Sequence, residues 1–356
     1  MGQSCLVSLN VALGALADAL VLLAILFIGR AFYRLTAKAK LKSGAWSSVK
    51  LEEEIATKDN TAMGVALGGY LLGLAIAASG AVLGPGSSWE KALMIGVVGL
   101  ASMILMRVSL LINDKLILSK FHNLSEIVND QNAGVAFVEA GGCVATGLMI
   151  CGVMSTKADN VADKLQYGAI YWIAGQVILV ACSKLFRPIS GFDVDREIEV
   201  NHNAAAGLSF GGFLVAIGFI VQAALDGAST DLLPEFATIA VFSVVGLLLL
   251  AVGKLALGRV LMPTSPISKE IQRDKNLGAG ALSAAGFIAI AVVFAASIAP
   301  ATTFATFASA LKEEAPAIVA PAPQEPPAQP ETKQDPAGTV PAGPSQEAKP
   351  EAKATQ

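Results

Sequence analysis

Long runs of apolar residues, separated by short polar segments, dominate the first 300 positions of the chain. A helix needs about twenty apolar residues to cross a bilayer core of about 30 Å. Eight runs reach that length, and we expect spans at residues 8–29, 61–83, 91–113, 133–154, 165–186, 204–225, 235–257 and 277–299. They lack the two-residue alternation of a membrane β-barrel. The pattern predicts an all-α fold, a polytopic bundle of eight transmembrane helices.

The pattern ends abruptly near residue 300. Eleven of the sixteen prolines lie at or beyond Pro300, among alanine, glutamine, glutamate and lysine residues. A segment of this composition has too few large apolar residues to form a core. Residues 301–356 are therefore predicted to be a disordered or polyproline-II tail.

Composition narrows the class of protein. Hydrophobic residues make up 54 % of the chain and charged residues 15 %, whereas soluble domains are roughly a quarter charged. Mean hydropathy is +0.61. The 25 lysines and arginines are balanced by 28 acidic residues, so there is no basic field for nucleic acid. These values exclude a soluble enzyme and a nucleic-acid-binding protein, and the expected surroundings are a lipid bilayer.

The distribution of charge among the loops predicts how the protein is oriented in the membrane. The four long loops, between spans 1–2, 3–4, 5–6 and 7–8, carry 18 lysines and arginines when helix ends are included. The short loops on the other side carry three, at Lys91, Lys157 and Lys164. Positively charged loops stay on the cytoplasmic side. We therefore expect the long loops in the cytoplasm and both termini outside it.

A fourfold internal repeat is visible in the polar segments. The motif Glu-Ile-x4-Asn occurs just before spans 2, 4, 6 and 8, with its asparagines 72, 71 and 73 residues apart. Glycine or alanine recurs two, four and nine positions after each asparagine. The motif residues are Glu54, Asn60, Glu126, Asn132, Glu197, Asn203, Glu270 and Asn276. Four helical hairpins in parallel are predicted, and small residues suit close helix packing in lipid. A quasi-fourfold or two-by-two bundle is the natural expectation.

This motif, repeated before Gly/Ala-rich spans, resembles the DUF350 family of bacterial inner-membrane proteins. The resemblance implies two tandem membrane domains, at residues 1–155 and 156–300, each with two hairpins. It also implies a location in the bacterial inner membrane, with both termini periplasmic. Family members are often encoded beside envelope-stress or polyamine-related genes, but the biochemical activity of the family is unknown. No catalytic residue is implied.

The motif itself admits three interpretations. The structural one is that each asparagine caps the following helix while the glutamate complements the positive helix end. In the second, four glutamates and four asparagines surround a common axis at the cytoplasmic mouth and select small cations or polyamines. In the third, the motif loops form a docking surface for a peripheral cytoplasmic protein.

Three of the ionisable residues in the predicted spans stand out, because a charge inside a membrane is costly and usually functional. Asp18 is near the middle of span 1, and Arg107 is near the cytoplasmic end of span 3. Glu139 lies seven residues after Asn132, where the sister repeats have Leu67, Phe210 and Ser283. Because Arg107 and Glu139 belong to one hairpin, we expect them to form an ion pair, although Arg107 has the alternative of reaching the interface.

Function follows from these features only in outline. No catalytic arrangement is recognisable, and no metal-ligand spacing or cofactor motif recurs, so we expect neither an enzyme nor a cofactor or metal. The favoured hypothesis is a structural or envelope-stress-linked component of the membrane. The alternative is a channel or transporter for small cations or polyamines that uses the ring of motif residues. Self-association into a homo-oligomer is compatible with either hypothesis.

Overall fold

The computed structural model describes residues 2–82, 88–155 and 161–298. The predicted tail, 301–356, lies outside the described residues. Eleven α-helices, two short strands and two π-helical turns make up the described part. The helices are α1 Gly2–Thr36, α2 Thr61–Val82, α3 Ser88–Ile112, α4 Asn123–Asn129, α5 Ala133–Val153, α6 Val161–Ser190, α7 Val194–Glu199, α8 Ala204–Leu225, α9 Leu232–Leu261, α10 Ile267–Asp274 and α11 Leu277–Ile298.

Eight of these helices are long and apolar enough to cross a membrane, as the sequence predicts. They are α1, α2, α3, α5, α6, α8, α9 and α11. The remaining structure lies in the loops that precede α2, α5, α8 and α11. The first of these loops holds a small antiparallel hairpin, β1 (Lys38–Lys40) paired with β2 (Trp46–Ser48), which the all-α prediction did not include. The fold class is otherwise confirmed.

The four helices that follow the motifs form a row in the order α2, α5, α8, α11. Each packs along its length against the next one in the row, and α2 and α11 do not pack against each other. The other four spans form a second layer: α1 packs against α2 and α3, α3 lies between α2 and α5, α6 between α5 and α8, and α9 between α8 and α11. The expected fourfold or two-by-two arrangement is therefore wrong, because each row helix carries a close-packing face on both sides.

Small residues make this row possible. The residue nine positions after one motif asparagine contacts the residue eight positions after the next. These pairs are Gly69 with Ala140, Gly141 with Gly211, and Gly212 with Ala284. A Cβ atom added at Gly141 would lie 2.6 Å from the Cα of Gly211, which no side chain tolerates without a shift of the helices. In lipid, backbones that approach this closely gain packing contacts that larger residues would prevent.

Candidate functional site

Each motif is a short helix joined to a row helix through a sharp reversal of the backbone. The glutamates lie on the π-helical turn Glu53–Thr57 and on α4, α7 and α10. The residue directly before each asparagine is left-handed, with φ between 46° and 50°: Asp59, Gln131, His202 and Lys275. A left-handed residue is a common way to end a helix. The four motifs therefore share one backbone conformation as well as one sequence pattern.

The asparagine side chains hold the start of each row helix. The Oδ1 atom of Asn60 accepts a hydrogen bond from the backbone N–H of Met63 at 3.0 Å, and Asn203 accepts one from Ala206 at 3.1 Å. Asn132 and Asn276 accept equivalent bonds from Val135 and Ala279. This is the geometry of a helix N-cap, which satisfies a backbone donor that has no partner within the helix.

The same asparagines also join one repeat to the next. The Nδ2 atom of Asn60 donates to the carbonyl of Ile127 at 2.9 Å, Asn132 donates to Ile198 at 2.8 Å, and Asn203 donates to Ile271 at 2.7 Å. In every case the acceptor is the isoleucine of the following motif. These three buried bonds, called the staples below, place the four motifs side by side on one face of the bundle, called the motif side.

The motif glutamates accept hydrogen bonds within their own repeats. Glu54 accepts from Asn60 at 3.1 Å and Glu197 from Asn203 at 2.9 Å, and both carboxylates are buried. Lys58 also donates to Glu54, and this hydrogen bond raises the pKa of the Lys58 ammonium. Glu126 and Glu270 bond to their asparagines at 3.3 and 3.4 Å. The four carboxylates follow the row, so they do not surround the common axis that a selective ring requires.

A partly buried ion pair braces the loop of the third repeat. Arg187, at the end of α6, makes two hydrogen bonds to the carboxylate of Asp195, at 2.6 and 3.2 Å. The arginine also donates to the carbonyl of Ile117 at 2.9 Å, so it ties two loops together. Burial by itself raises the pKa of Asp195, but the hydrogen bonds and charges of Arg187 and Lys120 outweigh it and leave the pKa lowered.

The three charged residues that the sequence singled out, Asp18, Arg107 and Glu139, occupy two places. Asp18 is half-buried on α1, and its Oδ1 atom has no hydrogen-bond partner in the described part of the chain. Arg107 and Glu139 line one cavity of about 140 Å³ on the motif side, together with Asp114, His122 and the rings of Tyr33 and Trp46.

The expected ion pair between Arg107 and Glu139 does not form among the described residues. Arg107 instead donates to the carbonyl of Thr36 at 3.0 Å, which caps the end of α1. Glu139 is 95 % buried and faces the cavity. Their spacing along the chain predicted the depth of both residues but not the direction of their side chains.

A second cavity lies at the corresponding place in the fourth repeat. It has a volume of about 510 Å³ and is lined by α6, α9, α10 and α11, with Ser283 at the position that Glu139 holds in the second repeat. In the third repeat this position is Phe210, whose ring stacks on Phe186 at 4.8 Å between centroids and fills the space. The sequence did not predict these cavities, although one signal for them is the variation in size and charge at this position, which is Leu67, Glu139, Phe210 and Ser283 in the four repeats.

Two tandem stretches of the chain match one known protein family. A family model described as Domain of Unknown Function (DUF350) matches residues 7–154 and 160–298, as two tandem copies. No curated protein and no solved structure matches the chain. Each matched copy contains two row helices, two helices of the second layer and one of the two cavities. The contact between the copies, α5 against α8, is of the same kind as the contacts inside each copy.

Proposed function

Because the chain belongs to the DUF350 family, whose function is unknown, we propose from its geometry that it is a structural component of the membrane and not an enzyme. The observation that supports this role is the use of the motif polar groups. Asparagine oxygens cap helices, asparagine nitrogens staple neighbouring repeats, and the glutamates hold the asparagines. Groups committed to internal bonds serve rigidity and are not available to a permeating ion.

The proposed link to envelope stress has its support in the family resemblance alone. A complementation experiment tests the structural role in cells of the source organism from which the gene has been deleted. Glu139→Gln removes the buried carboxylate of one cavity and should restore growth under envelope stress as well as the wild type does. Gly141→Leu separates α5 from α8 and should fail to restore growth. A folded Glu139→Gln protein that fails to complement would argue against a purely structural role.

A small-cation or polyamine path is the second candidate, and the Glu139 cavity favours it. The lining of this cavity combines two carboxylates, Glu139 and Asp114, and two aromatic rings, which attract organic cations, with Arg107 and two lysines, which repel them. Spermidine uptake into proteoliposomes tests this candidate. It requires that Glu139→Gln abolishes uptake while Glu270→Gln, a motif variant, preserves it. Uptake no faster than in protein-free liposomes would rule this candidate out.

We also propose the inner membrane as the location, with the motif side in the cytoplasm and both termini outside. The loop charges support this orientation. Single cysteines at Lys42 and Gly227 test it, because these residues lie at opposite ends of the spans. In intact cells a membrane-impermeant maleimide should label Gly227→Cys and leave Lys42→Cys unlabelled. The reverse labelling would invert the topology. Docking of a peripheral protein at the motif loops stays a prediction.

A further inference from the structure

The two ends of the row present the two halves of the contact that joins its repeats. The motif isoleucine is buried where a repeat precedes it, at Ile127, Ile198 and Ile271, but Ile55 of the first repeat is 38 % exposed. The motif asparagine shows the opposite trend. It is buried where a repeat follows, whereas Asn276 of the last repeat is exposed. Among the described residues, Asn276 makes no staple, and no asparagine side chain donates to the carbonyl of Ile55.

The small residues that join neighbouring repeats are also left uncovered at both ends of the row, and the uncovered residues of α2 are complementary to those of α11. Where two repeats meet, the residue four positions after the asparagine of the later repeat contacts the residue two positions after the asparagine of the earlier repeat. Gly207 of the third repeat contacts Gly134 of the second in this way. On the open side of α2 the corresponding residues are Gly64 and Gly68, and a Cβ atom added at either would meet nothing within 4 Å. On the open side of α11 the corresponding residues, Gly278 and Ala285, are exposed.

A third level of the contact lies deeper in the spans. Where two repeats meet, the residue fifteen positions after the asparagine of the later repeat contacts the residue thirteen positions after the asparagine of the earlier repeat. Gly218 of the third repeat contacts Ala145 of the second in this way. On the open side of α2 this position is Ala75, which is only half-buried. The fourth repeat also has alanine here, Ala291, and it is fully buried, so the row accommodates an alanine at this level. The complementary residue on α11, Ala289, is exposed.

We propose that a second copy of this chain continues the row, with α11 of one copy packed against α2 of the next. In this contact Asn276 donates to the carbonyl of Ile55 in the neighbouring copy and supplies a fourth staple. Ala285 packs on Gly68, and Gly278 packs on Gly64. The occupant is a second copy because the contact repeats one that the chain already makes three times.

This contact is heterologous, since it joins two different surfaces of the same chain. Such a contact generates a ring when its rotation closes and an open filament when it does not. The contact between copies brings two alanines together at the level of Ala75, whereas α5 and α8 bring Gly218 against Ala145. The helices are therefore expected to lie slightly further apart at this level than α5 and α8, and about as far apart as α8 and α11, which bring Ala216 against Ala291.

Cross-linking of the full chain in membranes tests the proposal. Inside the chain, Lys275 of the fourth repeat donates to the carbonyl of Asn201 in the third at 2.6 Å. The corresponding pair between copies is Asp274 with Asp59, and both residues are exposed. In a cysteine-free background, Asp59→Cys with Asp274→Cys should give dimers and higher multimers with a short bismaleimide. Asn201→Cys with Lys275→Cys should give only an intrachain product, which verifies the geometry.

A bulky residue on the open face of α11 tests whether this face forms the contact between copies. Ala285→Leu in the Asp59/Asp274 cysteine background should reduce the cross-linked multimers at least tenfold. Ala181→Leu, at an exposed alanine of α6 in the second layer, should leave them unchanged. Absence of multimers while the Asn201/Lys275 control reacts would overturn the proposal. The same result is expected if the tail of the chain, and not a second copy, covers α11. Multimers that persist in Ala285→Leu would also overturn it. Neither result depends on the flux or complementation experiments.

Discussion

At the scale of single residues, the motif asparagine combines two roles that are usually separate. Its oxygen caps a helix, and its nitrogen bonds to the next repeat and to its own glutamate. An amide suits this position because it is both donor and acceptor, whereas aspartate would lack the donor. The left-handed residue before it turns the amide towards both partners.

Replacement of the asparagines separates the cap from the staple. Asn203→Ala removes a cap and leaves the buried carbonyl of Ile271 without its donor, so the free energy of unfolding should fall by about 2–4 kcal/mol. Asn276→Ala removes a cap without a staple and should cost about 1 kcal/mol. Unfolding titrations of monomeric protein in mild detergent measure both. Equal losses would show that the staples contribute nothing.

Asp195 gives the protein a pH dependence with a defined sign. Because the pKa of Asp195 is lowered in the folded state, its ion pair stabilises the fold above the ordinary aspartate pKa of about 4. That stability is lost as the pH falls through the lowered value. Asp195→Asn should therefore cost about 1.5–3 kcal/mol at pH 7. The difference from the wild type should shrink below about pH 4.

Asp130 provides the control for this experiment. It pairs with Lys42 at 2.9 Å, but the lysine side chain is 72 % exposed. Exposed ion pairs contribute about 0–1 kcal/mol, so Asp130→Asn should have little effect. A loss at Asp195→Asn that is as small as at Asp130→Asn would contradict the bracing role of the Arg187 pair.

At the scale of helices, contact between bare backbones decides which spans are neighbours. Gly141→Ala should lower the free energy of unfolding by about 1–3 kcal/mol, because its methyl group would overlap Gly211. Gly68→Ala, on the open face of α2, should be neutral or stabilising by up to about 1 kcal/mol through helix propensity. The same detergent titrations measure the pair. A tolerated Gly141→Ala would show that α5 and α8 are not in close contact.

The sequence predicted the elements better than their neighbours. The eight spans follow from apolar length alone, and the motif period places the four asparagines on one side. The row was not predicted, because the expectation of a ring used the small residue at position nine and overlooked position eight. Gly68, Ala140, Gly211 and Ala284 are all small, and small residues on both sides of a helix indicate two close neighbours. The isoleucine carbonyl was beyond prediction, since a backbone acceptor carries no residue signature.

At the scale of the whole molecule, duplication produced a symmetric row with unequal contents. The second and fourth repeats keep a cavity on the motif side, whereas aromatic packing fills the third. Glu139 and Arg107 therefore belong to one repeat and not to the repeated framework. This separation explains why variants of the framework and variants of the cavity are expected to give different defects in the experiments above.

The central claim is that the four motifs lie in a row on one side of the membrane. Spin labels at pairs of the equivalent left-handed positions Asp59, Gln131, His202 and Lys275 test it by pulsed EPR, in protein diluted with unlabelled chains. Neighbouring helices are about 8–10 Å apart, so a row predicts a first-to-fourth separation of about 25 Å, well above that of adjacent pairs. A first-to-fourth distance equal to that of adjacent pairs would mean a closed ring and would contradict the row.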